Sequence, residues 1–295
     1  MCKQLSKVQL WLLAARPKTL PAAAGPVLVG TAVAARDGHF LLIPALATFL
    51  GALLLQIAVN FANDYFDAKN AIDSEERLGP VRVTQSGLIP PAQVRLAMSI
   101  ALVAAALVFV YLTIIGGKVI FWVGVCSILS ALAYSGGPYP LASHGLGELF
   151  VLLFFGPVAV CCTAYLQAGS FTLFSLQASL VPGLLITAIM VINNLRDIPT
   201  DRKAGKKTLA VRLGRSRTLV FYRILLISAY LVPVGTAVFG QGSGLELLVF
   251  VTLPLAVSLY KEVETCTGSL LNGTLARTAR LSFFASLFFS LGLMC

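Results

Sequence analysis

Apolar runs long enough to cross a bilayer recur along the whole chain, and no other feature restricts its folding as strongly. A spanning helix needs about 20 mostly apolar residues. Such runs are read near 19–35, 40–62, 94–115, 118–134, 147–168, 174–194, 218–239, 245–260 and 276–294. Of the 295 residues, 12% are charged and 58% hydrophobic, against about 25% and 45–50% in soluble domains. Disorder requires the opposite balance, and so few charges cannot clothe a water-soluble surface. The expectation is an all-α integral membrane protein, a bundle of about nine transmembrane helices forming one domain over residues 1–295.

The 22 Lys and Arg outnumber the 12 Asp and Glu, for a net charge of +10. Such an excess can mark nucleic-acid binding, so the placement of the charges decides its meaning. On the nine-span reading, 20 of the 22 cations fall on one side and only Arg36 and Lys118 on the other. That bias puts the N-terminus and the basic loops in the cytoplasm and the C-terminus outside. The expected surroundings are the lipid bilayer of a plasma (bacterial inner) membrane, with no nucleic-acid partner. Leu10–Ala15 is too short for a signal-peptide core and runs into Arg16-Pro17-Lys18, so it reads as an interfacial helix. The six cysteines have no CxxC spacing and read as small hydrophobes. His39 and His144 pair with neither Cys nor each other, so no zinc site is expected.

Ten of the twelve acids share the basic side, although acids contribute little to orientation. They cluster at two helix ends. One cluster, residues 60–73, runs Asn60-Phe-Ala-Asn63-Asp64-Tyr-Phe-Asp67 and on to Asp73; the other, 193–201, runs Asn193-Asn-Leu-Arg-Asp197-Ile-Pro-Thr-Asp201. Asn63 and Asp67, and likewise Asn193 and Asp197, are four apart and share a helix face. Pro199 disfavours helix at the preceding residue, so Asp201 is expected on an opened turn, and Asp73 requires a bend. Each cluster leads into a basic, Gly-containing loop, 79–87 and 205–214.

Facing carboxylates repel unless a cation lies between them. Mg²⁺ takes hard oxygen ligands, usually one or two carboxylates completed by substrate phosphates. Lys and Arg beside such a site clamp phosphate oxygens. Two acidic patches and two basic loops on one membrane face therefore point to a metal–diphosphate site, with apolar surroundings suited to a lipid tail.

These segments resemble the UbiA superfamily of intramembrane prenyltransferases, and more narrowly its 1,4-dihydroxy-2-naphthoate prenyltransferase branch. The likeness is carried by Arg16-Pro-Lys-Thr-Leu-Pro21, by Asn63-Asp-Tyr-Phe-Asp67 with Asp73 and Arg77-Leu-Gly-Pro80, by Gly145-Leu-Gly-Glu148, and by Asn193 through Gly214. The displaced third acid, Asp73, separates this branch from the 4-hydroxybenzoate enzymes; Ala71 stands where the branch usually has Gly. The resemblance implies a UbiA-type helical bundle in which Mg²⁺ and a prenyl diphosphate are bound by Asn63, Asp67, Asp73, Asn193, Asp197 and Asp201, with Asp64 as their supporting partner. It implies transfer of the prenyl group to dihydroxynaphthoate with loss of CO₂ and diphosphate, giving demethylmenaquinone for menaquinone biosynthesis. Lys69, Arg82, Lys207 and Arg212 are the candidate phosphate clamps. Tyr134 and Tyr139 are candidates to flank an allylic cation, Glu148 is a candidate because a buried acid is costly in hydrocarbon, and Lys18 is the candidate for the acceptor carboxylate. The rival readings are a UbiA-type enzyme acting on 4-hydroxybenzoate or a related acceptor and, in another class, a secondary transporter, whose site would lie near the bilayer midplane.

Overall fold

The computed structural model describes residues 6–69, 78–79, 81–239 and 243–295; the expected ligand Asp73 lies outside them. Among the described residues every regular element is helical. The short helix α1 (Lys7–Ala15) starts at a capping box in which Ser6 and Gln9 satisfy each other's backbone N–H groups. Its Trp11 packs edge-on against Phe61. A bend of 45° leads into α2 (Pro21–Arg36). Then follow α3 (Leu42–Lys69), α4 (Pro91–Ser135), α5 (Gly147–Leu153), α6 (Ala159–Ala168) and α7 (Leu173–Lys203). The last three are α8 (Leu209–Val238), α9 (Leu253–Thr265) and α10 (Leu271–Met294). A wide turn over Phe154–Val158 joins α5 to α6, so that 147–168 forms one bent rod.

The expected nine spans are not what the chain builds. Among the described residues five helices are long and apolar enough to cross a membrane, or six if the bent pair α1–α2 is one span. The five are α3, α4, the α5–α6 rod, α7 and α8. The shortfall has local causes. With 16 residues, α2 is only about 24 Å long, short of the roughly 30 Å hydrocarbon core. The apolar run 245–260 is divided between a 3₁₀ segment, Leu245–Thr252, and α9. Helix α10 carries Arg277 and Arg280, and one buried stripe of it is small and polar: Thr274, Thr278, Ser282, Ser286 and Ser290, four apart, are all buried. The runs 94–115 and 118–134 both belong to α4.

Helix α4 nevertheless turns back on itself. Gly117 has φ +67° and ψ −156°, outside helical space and in the region that favours glycine. A Cβ on Gly124 would sit 2.9 Å from the Phe109 ring, although on a straight helix these residues would be about 22 Å apart. The two halves of α4 therefore lie side by side.

The principal core surrounds α7, where Leu185, Val191 and Ile192 meet Val29 and Val33 of α2, Tyr222 of α8, Leu259 of α9 and Leu281 and Phe289 of α10. Large side chains such as Ile114, Trp122, Ile43 and Leu231 project outward and are exposed. An apolar exterior around a packed interior is what a bilayer solvates. The chain is an all-α, multi-pass membrane protein. Substituting Gly124 by Val should force the α4 halves apart at Phe109 and cost about 1–3 kcal/mol, seen as a lower midpoint for thermal unfolding in detergent.

Candidate active site

A cavity of about 420 Å³ opens among α2, α3, α4, the α5–α6 rod and α7. Along α3 its wall runs from Thr48 to Asp67, a rise of about 28 Å. The far end is apolar, closed by Leu112, Ile120 and Leu166, which pack into one buried cluster. The other end collects Arg16, Lys18, Asn63, Asp67, Arg82, Asn193, Asp197, Asp201 and Lys206.

Helix continuity places the acids. Helix α3 runs through to Lys69, so Asn63 and Asp67 line the cavity from one face. Helix α7 likewise continues past Pro199 to Lys203, which corrects the opened turn expected at Asp201. Asn193, Asp197 and Asp201 therefore stay four apart on one helical face, and all three line the cavity. Proline removes only one backbone donor near the helix end, and the chain closes there with Lys206 N–H on the Asp201 carbonyl at 2.9 Å.

Each of these carboxylates has a cation. Arg82 bonds to Asp67, and Lys206 Nζ is 3.4 Å from Asp201. Arg196, almost fully buried, grips Asp197 with two bonds of 2.7 and 2.6 Å and also donates to Asn193 and Asn272. Asn272 in turn donates to the Leu78 carbonyl at 2.9 Å, tying α10 and α7 to the loop after the first acidic cluster. Ser135 donates to Asn63.

Asp64 faces away from the cavity. It accepts from the backbone N–H groups of Val83 and Thr84 at 3.1 and 2.9 Å, and so holds the loop that brings Arg82 to Asp67. Lys18 lines the cavity beside Arg16, whose backbone has φ +53°. That turn is pinned by Asn60, which donates to the Ala15 carbonyl and to Thr19. Tyr134 lines the cavity and donates to the Met190 sulfur at 3.2 Å.

Other expected residues are not brought to the cavity wall. Lys69 borders a neighbouring depression with Tyr65 and Gln85, which touches the cavity only through Asp67. Lys207 and Arg212 tie two loops together: Lys207 N–H donates to the Ser143 carbonyl, and Arg212 donates to the carbonyls of His144 and Lys207. Tyr139 is exposed and stacked on His144. Glu148 is buried behind the wall, bonded to Asn194 at 2.8 Å. Sequence reasoning assigned no role to Arg196, Lys206 or Asn194. An arginine within a mainly apolar helix, beside Asp197, was a usable signal for the first.

The family model for the UbiA prenyltransferase family matches residues 23–289. The chain belongs to this family. It is 37% identical over 298 residues to the 1,4-dihydroxy-2-naphthoate octaprenyltransferase of Escherichia coli (strain K12), covering 99% of this chain and 97% of that one. It is 42% identical over 219 residues to the enzyme of the same name from Mycobacterium tuberculosis, covering 74% and 75%. The fold of a UbiA homologue from Archaeoglobus fulgidus, solved with GPP and Mg²⁺, superposes with a TM-score of 0.68 at 16% identity, covering 97% of this chain and 99% of that one.

Removing the Arg196 guanidinium would leave Asp197 and Asn193 without their donors. Arg196→Leu should cost about 3–5 kcal/mol, measured by thermal unfolding in detergent, and Arg196→Lys should not restore it, because an ammonium cannot reproduce the two-pronged grip.

Proposed function

We propose that this UbiA-family chain transfers a polyprenyl group from prenyl diphosphate to 1,4-dihydroxy-2-naphthoate, releasing CO₂ and diphosphate and giving demethylmenaquinone at the hydroquinone level. The carrying observation is the single cavity that joins the oxygen-rich, cation-lined end to an apolar end closed by Leu112, Ile120 and Leu166. The sequence likeness to dihydroxynaphthoate octaprenyltransferases supports the choice of acceptor.

The donor set fits Mg²⁺. Among the described residues no three His, Cys, Asp or Glu side chains converge on one point, so the protein alone forms no cage. Asp67 on α3 and Asp197 and Asp201 on α7 instead face one cavity, which suits an ion held by few carboxylates and completed by diphosphate oxygens. Asn63, Asp67, Asn193, Asp197 and Asp201 would hold it, with Asp73 as a further candidate outside the described residues. When bound, Mg²⁺ supplies Lewis-acid neutralisation of the leaving diphosphate.

The chain's own groups account for the rest. Arg82 and Lys206 present charge to the phosphate oxygens. The C–O bond of the prenyl diphosphate breaks with its electron pair on the diphosphate, and the apolar wall keeps water from the allylic cation. Tyr134 and Phe150 border the cavity, and aromatic rings suit a cation. The ring carbon that bears the carboxylate bonds to the prenyl carbon. The ring–carboxylate bond then breaks, its pair returning to the ring as CO₂ leaves. Lys18 and Arg16, which line the charged end, would orient that carboxylate.

The cavity's charged end carries basic residues from the α1–α2 turn, the α3–α4 loop and the α7–α8 loop. This supports a cytoplasmic active site and N-terminus in a bacterial inner membrane.

Asp67→Ala and Asp197→Ala should each abolish Mg²⁺-dependent transfer in membranes, and EDTA should do the same to the unaltered chain. Near-normal turnover in both variants would remove the site assignment. Offering dihydroxynaphthoate and 4-hydroxybenzoate with labelled prenyl diphosphate, followed by mass spectrometry, should give a decarboxylated prenyl naphthohydroquinone or, after oxidation by air, its quinone. Product from hydroxybenzoate alone would overturn the acceptor.

A further inference from the structure

We propose that Asn194, oriented by Glu148, accepts a ring hydroxyl of the aromatic acceptor and thereby selects acceptors that carry one. The inference rests on the prenyl-transfer reading above and concerns two residues that it leaves without a role. Asn194 lines the cavity while only 4% exposed. Its Nδ2 donates to Glu148 Oε1 at 2.8 Å, a bond buried on both sides. Because the acid takes the amino end, the carbonyl end is what remains for the cavity. That Oδ1 accepts no hydrogen bond from any described residue, and Asn194 is part of the cavity wall.

Glu148 is itself 5% exposed, and its Oε2 has no partner among the described residues. A buried acid is expensive in such surroundings, and its one hydrogen bond among the described residues serves to hold this amide. One turn before Asn194 on α7, Met190 takes the proton of the Tyr134 hydroxyl on its sulfur, a weak acceptor, so that hydroxyl too can turn to a ligand.

Position narrows what the ligand group is. Asn194 precedes Asp197 by three residues and Asp201 by seven on continuous α7, so it lies about 4.5 and 10 Å further along the helix. Next to Asn193, it stands at the inner edge of the metal–diphosphate set, where the reacting ring meets the carbon that leaves the diphosphate. An outward carbonyl accepts but does not donate. It therefore favours O–H over the ring's carboxylate, and over the prenyl chain, which has no donor. An acceptor without the hydroxyl leaves a desolvated amide unpaired.

The test uses the full chain in detergent, without metal and without oxygen, titrated with dihydroxynaphthoate and with its mono-O-methyl ethers, followed by fluorescence. Steady-state kinetics with Mg²⁺ run in parallel. Asn194→Leu should weaken dihydroxynaphthoate binding about ten-fold, the size of one hydrogen bond of this type, and raise the acceptor KM similarly. The prenyl diphosphate KM and the half-saturating Mg²⁺ concentration should not move. One methyl ether should bind the unaltered chain about ten-fold more weakly than its parent, and Asn194→Leu should erase that difference. Glu148→Gln keeps an acceptor for the amide and should stay within about two-fold, whereas Glu148→Ala should match Asn194→Leu.

A shift of the diphosphate KM or of the Mg²⁺ dependence in Asn194→Leu would overturn the proposal in favour of metal or phosphate binding, as would unchanged acceptor affinity. If that variant does not fold, equal binding of parent and both ethers by the unaltered chain overturns it instead. Should the unaltered chain transfer only to hydroxybenzoate, the reaction assignment fails, and the same ether comparison on that acceptor's hydroxyl still tests Asn194.

Discussion

Three carboxylates must be kept charged at the edge of an apolar bundle, and much of the surrounding structure follows from that constraint. Withdrawing an ion from water costs several kcal/mol unless a partner of opposite charge and good geometry replaces the lost solvent. Asp67, Asp197 and Asp201 each have such a partner, in Arg82, Arg196 and Lys206. Two of the three partners come from outside the helix that carries the acid, so charge neutralisation also fastens loops. Asp64 holds the 83–84 backbone so that Arg82 arrives at Asp67. Arg196 reaches α10 through Asn272, which in turn holds the Leu78 carbonyl. The acids that make the cavity polar at one end are thus also its joints.

The opposite end obeys a different rule. Leu112, Ile120 and Leu166 meet because α4 doubles back at Gly117 and because Gly124 lets the Phe109 ring lie against its backbone. Close approach through small residues is how helices pack when lipid offers no hydrophobic contrast. The same economy shapes α10, where the Thr278 and Ser286 hydroxyls bond back to the Thr274 and Ser282 carbonyls, each at 2.8 Å. A cavity graded from charge to hydrocarbon along about 28 Å of α3 suits a substrate that is a diphosphate at one end and a terpene at the other.

Much of the chemistry was legible before any coordinates because a chain poor in charge cannot hide a cluster of it. The acidic face of each motif follows from four-residue spacing, and Asn63, Asp67, Asn193, Asp197 and Asp201 do line one cavity. The spans were read less well. Apolar length reports whether a segment can enter a membrane, but not whether a turn at Gly117, a 3₁₀ segment such as Leu245–Thr252, or paired arginines as in α10 alters what the segment becomes. The basic residues were the least legible. Lys207 and Arg212 hold carbonyls of neighbouring loops, while Lys206, one position away, reaches Asp201.

Composition and spacing by themselves determined that this chain is helical, belongs in a bilayer, and carries two oxygen-rich motifs able to share a cation, because helical periodicity and the cost of charge in hydrocarbon are local properties. Only the tertiary structure decided which cation meets which acid, that Asp64 anchors a loop, and that Glu148 stands behind Asn194. Those outcomes depend on which side chains the packing of α3, α4 and α7 brings within about 3 Å of each other, and no single segment contains that information.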